Sequence, residues 1–282
     1  MTTVTQPRHE LIYAEPRAYD IGFCNRDFPV ECGFLEYLSR NLGRGRLDSY
    51  VEVCCGPGHH LRTLASQGVR AYGIDISPEM VAYVEEHAGV SGQLPPEVPT
   101  AGPGAGGQAW IQLADPRDFT LPEAVDLAFC PSHHFRYLLR NEEVISHLVA
   151  VARNLGRGAL YVLEMEHPRV LFEGGVYEPE AWVCERDQMK VAVTVGPGKG
   201  AIDPITQIRD LEIRLAITEP AGTRTVRDAA PVRAFTYPEL RALVKLSGVF
   251  DWVATFGDLS ITQPFDNTDG ARCMVPVLRC SM

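Results

Sequence analysis

Between residues 51 and 77 two apolar runs each close on a polar turn, and this pair limits the fold more than any other stretch. The first reads Val51-Glu52-Val53-Cys54-Cys55-Gly56-Pro57-Gly58-His59-His60, and the second reads Gly73-Ile74-Asp75-Ile76-Ser77. Asp75 stands seventeen residues after Gly58, and residues 60–67 between them carry a helical pattern ended by Gly68. Strand, glycine turn, helix and a second strand ending in an acid make half of a nucleotide-binding βαβ unit. Glycine lets backbone approach a ligand where a β-carbon would clash, and a carboxylate at the second strand's end suits a ribose diol.

The alternation continues on both sides. Phe34, Leu35, Tyr37, Leu38 and Leu42 form an apolar stripe that predicts a helix over residues 28–42. Residues 50–54 and 71–74 read as strands. Ser77-Pro78-Glu79 places a serine cap before a proline at the first helical position, so a helix runs to about residue 87. Four prolines (95, 96, 99 and 103) and glycines at 89, 92, 102, 104, 106 and 107 mark a solvated loop. Strand signals resume at 110–113 and 125–130, a helix follows at 141–154, and 159–163 is the next strand. This order predicts an α/β chain with a doubly wound, mostly parallel, seven-stranded Rossmann-like sheet.

Past Glu166 the apolar period changes to two, as in Leu211-Glu212-Ile213-Arg214-Leu215. Residues 182–195, 206–218 and 223–235 read as strands of a small antiparallel sheet, inserted as a lid. A helix at 237–247 then leads to strands at 251–255 and 273–279, which pair antiparallel at the sheet edge. The expected organisation is a helical cap over 1–45, a core over 46–166, an insert over 167–235 and a closing segment over 236–282.

Charge and cysteine usage narrow the function. A net charge of −10 lacks the basic footprint that nucleic acid requires. No apolar run approaches the roughly 20 residues of a membrane span. The first 13 residues are polar, without an apolar signal core, which points to the cytoplasm. The expected partner is a small molecule, with a second copy of the chain as a further candidate. Eight cysteines without a CxxC pair read as reduced thiols, and no metal is expected.

Two phosphate-binding signatures fail here. A dinucleotide fingerprint needs a third small residue where Leu61 stands, and a P-loop needs a Gly-Lys-Ser/Thr ending. What survives is a nucleoside ligand without phosphates. The residues that hold it resemble the class I S-adenosylmethionine-dependent methyltransferases. Glu52, Gly56 and Gly58 fit that family's acidic, glycine-rich first motif, and residues 73–80 its second. Residues 113–119, 125–129 and 155–164 are similar to the later motifs, in the family's order.

The resemblance implies S-adenosylmethionine as cofactor and assigns roles. Asp75 takes the ribose hydroxyls, Asp115 the adenine amino group with Asp118 as competitor, and Glu52 supports the glycine turn. Ile76, Met80 and Pro131 join Cys54, Gly56 and Gly58 around the cofactor. Tyr19, in a Tyr-Asp-x-x-Phe segment, covers the cofactor's methionine end, where an aromatic face suits a sulfonium. His133, His134 and Glu164, just past the fourth and fifth strands, are the catalytic candidates. Two residues depart from the pattern. Cys54 replaces a glycine, so its backbone is expected to avoid positive φ. Pro116 has no N–H to offer adenine. The reaction implied is methyl transfer to a small-molecule amine, ahead of a hydroxyl. Chemistry at the γ-carbon of the same cofactor, releasing methylthioadenosine, and a non-catalytic binding module are the alternatives.

Overall fold

The computed structural model describes residues 10–87, 90–92, 94, 108–172, 179–198 and 201–282. In chain order the elements are α1 (Glu10–Tyr13), α2 (Pro16–Gly22), α3 (Phe28–Leu42), β1 (Ser49–Val53), α4 (His59–Ser66), β2 (Arg70–Asp75) and α5 (Pro78–His87). Then come β3 (Ala109–Leu113), β4 (Val125–Cys130), α6 (Asn141–Arg153), β5 (Leu155–Leu163) and β6 (Met165–Glu166). The chain continues through β7 (Glu180–Arg186), β8 (Met189–Pro197), β9 (Ile208–Glu219) and β10 (Gly222–Arg233), and ends with α7 (Tyr237–Ser247), β11 (Phe250–Phe256) and β12 (Cys273–Cys280). The Pro/Gly-rich loop expected over 89–108 lies almost wholly outside the described residues.

The elements fall into two compact units, one comprising Asp27–Arg169 with Phe235–Met282, the other Met1–Arg26 with Val170–Ala234. The larger unit is built on a sheet in the order β11-β12-β5-β4-β1-β2-β3, with the two-residue β6 also paired to β12. β1, β2, β3, β4 and β5 are parallel, and β12 and β11 are antiparallel, as the doubly wound reading expects. Every residue of β1 is buried, as in a strand covered on both faces. Alternate residues feed opposite layers. Val51, Val53, Tyr72, Ile74 and Tyr161 pack with Val144 and Leu148 of α6 and Leu240 of α7. Tyr50, Ala71, Leu127, Phe129 and Leu160 pack with Leu35 and Leu38 of α3, Leu61 and Leu64 of α4 and Val84 of α5.

Local signals set the helix ends. Asp27 caps α3 by accepting from Val30 N–H at 3.1 Å. Thr236 and Glu239 form a capping box on α7, which ends at Gly248 in the left-handed region. The expected N-terminal cap over 1–45 takes in α3. Its stripe of Cys32, Phe34, Leu35 and Leu38 instead belongs to the core of the larger unit.

The smaller unit is a four-stranded antiparallel sheet in the order β10-β9-β8-β7. The strand expected over 182–195 is in fact a hairpin. Asp187 and Gln188 take φ of 51° and 64° between β7 and β8, the two left-handed residues of a tight hairpin turn. The turn has no glycine, and so gave no sequence signal. Along β9 buried and unburied residues alternate, with Leu211, Ile213, Leu215 and Ile217 on the covered face. Asp228 of β10 accepts from Leu11 N–H at 2.7 Å and so holds the start of α1. Arg186 pairs with buried Asp20 of α2, and Arg224 forks onto Glu15 at 2.5 and 2.7 Å.

Candidate active site at the strand ends

Strand order reverses between β1 and β4, and the crevice beyond the C-terminal ends of such strands is where open α/β sheets bind ligands. β1 runs into the glycine turn. Cys55 N–H donates to Ile74 O at 3.0 Å, and Gly58 N–H closes the turn on Cys55 O at 2.9 Å. The backbone is left-handed at Cys54 (φ 61°), Gly56 (φ 50°) and Gly58 (φ 68°). The expectation that Cys54 avoids positive φ is therefore corrected. A left-handed non-glycine residue costs about 1–2 kcal/mol. The offset lies in its side chain, which packs against the core and hydrogen-bonds Cys130 of β4. That bond, together with burial, pushes the Cys54 thiol well up from its ordinary range. All eight cysteines are free thiols.

Gly73 of β2 is a residue that sequence reasoning left unassigned. A β-carbon there would lie 2.8 Å from Cys55 Sγ and 3.1 Å from Leu61 Cδ2. A glycine inside a strand is the usual mark of such a close approach. Gly73→Ala is expected to lower stability by about 1–3 kcal/mol, the range for overpacking a close-fitted core. A lower urea midpoint at unchanged slope checks this.

Asp75 joins the turn to the end of β2. Its Oδ2 accepts from Gly56 N–H at 2.7 Å and its Oδ1 from Ser77 N–H at 2.9 Å. Burial raises the carboxyl's pKa, and the Ser77 and Gly56 amides act against that rise. Ile76 beside it is half-buried. Met80 is fully enclosed in α5, its N–H donating to the Ser77 hydroxyl at 3.2 Å. A turn without side chains at positions 56 and 58, facing a half-buried carboxylate one strand away, fits the nucleoside and ribose of S-adenosylmethionine.

At the end of β3, Asp115 is gripped by Arg117, whose Nε and Nη2 donate at 2.9 and 2.6 Å. Its competitor Asp118 faces solvent and pairs with Arg153 at 2.9 Å. Pro116, between them, has a carbonyl that accepts from His147 Nδ1 at 2.8 Å, and Tyr161 OH lies 2.5 Å from His147 Nε2. This buried triad ties the loop after β3 to α6 and β5. Burial pushes the His147 pKa down to about 4. Neutral His147 binds fewer protons folded than unfolded, so its contribution is complete above pH 6.5 and is lost as pH falls toward 4. Between pH 7 and 5 the loss is about 2 kcal/mol. Denaturant midpoints at the two pH values check this, and His147→Gln is expected to remove that part of the slope.

Past β4, Ser132 and His133 are successive left-handed residues (φ 55° and 59°), a strained pair of the kind that gathers at functional sites. Ser132 N–H donates to Glu164 Oε2 at 2.6 Å, and Glu164 N–H to Cys130 O at 3.0 Å. The loop after β4 is thus bound to the residue after β5. His133, Glu164 and Cys273 bring their polar atoms within 4.8 Å of one another. His134 opens a short 3-10 turn, with Nδ1 2.9 Å from the carbonyl of buried Pro131. Burial lowers the His134 pKa, while the charges of Asp75 and Glu164 oppose that shift.

The sequence-predicted residues therefore gather in two neighbouring groups of the larger unit. Glu52, Cys54, Gly56, Gly58, Asp75 and Ile76 surround the turn, and Pro131, His133, His134 and Glu164 lie past β4 and β5. Tyr19 lies in the smaller unit, where its ring stacks on Phe23 at 4.3 Å and meets Tyr13 edge-on at 5.6 Å. Phe23 in turn meets Trp182, whose indole N–H donates to Gly22 O at 2.6 Å.

Known proteins share this fold. Residues 51–158 match the family described as a methyltransferase domain. The chain is 24% identical over 225 residues to dTDP-4-amino-2,3,4,6-tetradeoxy-D-glucose N,N-dimethyltransferase of Saccharopolyspora spinosa, covering 79% of this chain and 80% of that protein. DesVI of Streptomyces venezuelae superposes with a TM-score of 0.70 at 19% identity, over 94% of this chain and 98% of that one. The sugar N-methyltransferase KedS8 of a Streptoalloteichus species superposes with a TM-score of 0.66 at 19% identity, over 99% and 96%. The matched domain, the sheet order and the glycine turn with Asp75 agree on one assignment: residues 51–158 are a methyltransferase domain, carried on a Rossmann-like methyltransferase fold.

Proposed function

We propose that the chain methylates the nitrogen of a small amine, with an amino sugar as the favoured acceptor class and His134 as the base. The amino-sugar class is supported by the similarity to the Saccharopolyspora N,N-dimethyltransferase over four-fifths of both chains. The observation that carries the base assignment is the state of His134. Its lowered pKa leaves the ring neutral at pH 7, and the Pro131 carbonyl next to Nδ1 takes the N–H. The lone pair is then left on Nε2, as a base requires.

S-adenosylmethionine supplies the electrophilic methyl carbon on its sulfonium. The chain's task is to bring a neutral nitrogen in line with the methyl–sulfur bond and to exclude water. An amine arrives largely protonated at neutral pH, so the proton has to leave before attack, and His134 Nε2 takes it in this reading. Glu164, fixed by the Ser132 amide, offers a negative charge that draws the arriving ammonium. His133 orients the acceptor from the adjoining left-handed residue.

The test compares matched acceptors that differ in one group, a 4-amino and a 4-hydroxy form of the same nucleotide-linked deoxysugar. The amino form is expected to yield S-adenosylhomocysteine in proportion to methylated product. Turnover of the hydroxy form at an equal rate would overturn the nitrogen assignment.

A further inference from the structure

Beneath the glycine turn, ionisable side chains from three elements meet inside the larger unit. Glu52 comes from β1, His60 from the first turn of α4 and Glu31 from the first turn of α3. His60 Nδ1 lies 3.1 Å from Glu52 Oε1, and His60 Nε2 lies 2.7 Å from Glu31 Oε2. The other Glu52 oxygen, Oε2, accepts from Leu61 N–H at 2.9 Å. Glu52 and His60 are 1% and 2% exposed. Phe28 and Phe129 press edge-on against the imidazole at 5.1 and 5.2 Å.

Two features give this trio a purpose. The residue that caps α4 is Gly58, which has no side chain to receive the helix's first amides. Glu52 receives one of them from the neighbouring strand, and its charge suits a helix N-terminus. The imidazole also faces a carboxylate on each side. A neutral ring donates from one nitrogen only, whereas the imidazolium donates from both. An imidazole in contact with both carboxylates holds Glu52 in one rotamer more firmly than the Leu61 amide would alone.

We propose that Glu31 and His60 are positioning residues for S-adenosylmethionine. They fix the Glu52 carboxylate as the surrogate cap of α4, and through it the backbone of Cys54–Gly58 on which the cofactor rests. Glu31 acts at one remove, through its contact with His60 and from there through Glu52. The inference rests on the cofactor and not on the acceptor, so failure of the nitrogen assignment would leave it standing.

Calorimetry of S-adenosylmethionine binding to the full chain tests it. Glu31→Leu, which keeps bulk and removes both charge and acceptor, is expected to weaken binding at least tenfold. Glu31→Gln keeps an acceptor and loses the charge, and is expected to weaken it three- to tenfold. In a His60→Asn background, where the imidazole that links the two carboxylates is gone, Glu31→Leu is expected to add less than twofold. Amide exchange without cofactor gives a second readout, with Leu61 N–H exchanging at least tenfold faster in Glu31→Leu. Cofactor affinity within twofold of wild type in Glu31→Leu, or losses that multiply in the double variant, would overturn the proposal. Should Glu31→Leu fail to fold, Glu31→Gln decides alone, and unchanged affinity in that variant is the contrary result.

Discussion

Asp75→Ala is expected to weaken S-adenosylmethionine binding about a hundredfold. The carboxylate accepts from the Gly56 and Ser77 amides, and the resemblance to the superfamily gives it the ribose hydroxyls as well. Removing it strips the turn of its side-chain tie to β2, leaving the Cys55–Ile74 backbone bond, and strips the ribose of its acceptor. Two bonds to a charged group at about 1.5 kcal/mol each come to about 3 kcal/mol, which is about two decades of affinity. Asp75→Asn keeps the shape and one acceptor and should fall between the two. Calorimetry reads both, and an alanine variant that binds as tightly as wild type would remove Asp75 from the cofactor site.

His134→Gln is expected to reduce kcat by about two to four decades, the usual contribution of a positioned base. The pH profile separates this from a packing effect. Burial holds the His134 pKa below its ordinary 6.5, so the acid limb of kcat/KM lies below pH 6.5 in the wild-type chain. Activity rises through that limb as the ring loses its proton and levels off above it. In His134→Gln the limb is expected to vanish while weak residual activity remains. A limb that persists unchanged would assign the titration to another group, and would return His133 and Glu164 to the role of base.

Much of the fold could be read from short-range pattern. The β1–α4–β2 unit announces itself through apolar runs, a glycine turn and a terminal acid, all within 25 residues of one another. α3, α5 and α7 carry their own caps in Asp27, Ser77-Pro78 and Thr236 with Glu239. The Asp187-Gln188 turn had no such mark, because its left-handed residues are neither glycine nor asparagine. Cys54 misled for a related reason. A positive φ is costly for any residue with a β-carbon, and only the contact with Cys130, 76 positions away, shows what offsets it.

The site divides in the same way. Asp75, Gly56 and Gly58 follow from local motif, and Glu164, His133 and His134 from their place just past strands. The groups that support them were hidden, since each joins elements distant in sequence. Glu31 reaches His60 from 29 residues away, and His147 reaches the Pro116 carbonyl from 31. A glutamate in the first turn of α3 looks like an ordinary favourable charge at a helix start until the fold brings α4 beside it.

The most direct test of the central claim follows the methyl group itself. The chain is incubated with S-adenosylmethionine carrying a carbon-13 methyl and with a nucleotide-linked 4-amino-deoxysugar, and the products are read by NMR and mass spectrometry. The account predicts a labelled methyl on nitrogen, with one S-adenosylhomocysteine formed per methyl transferred. Methylthioadenosine as the nucleoside product, or a labelled methyl on oxygen, would contradict it.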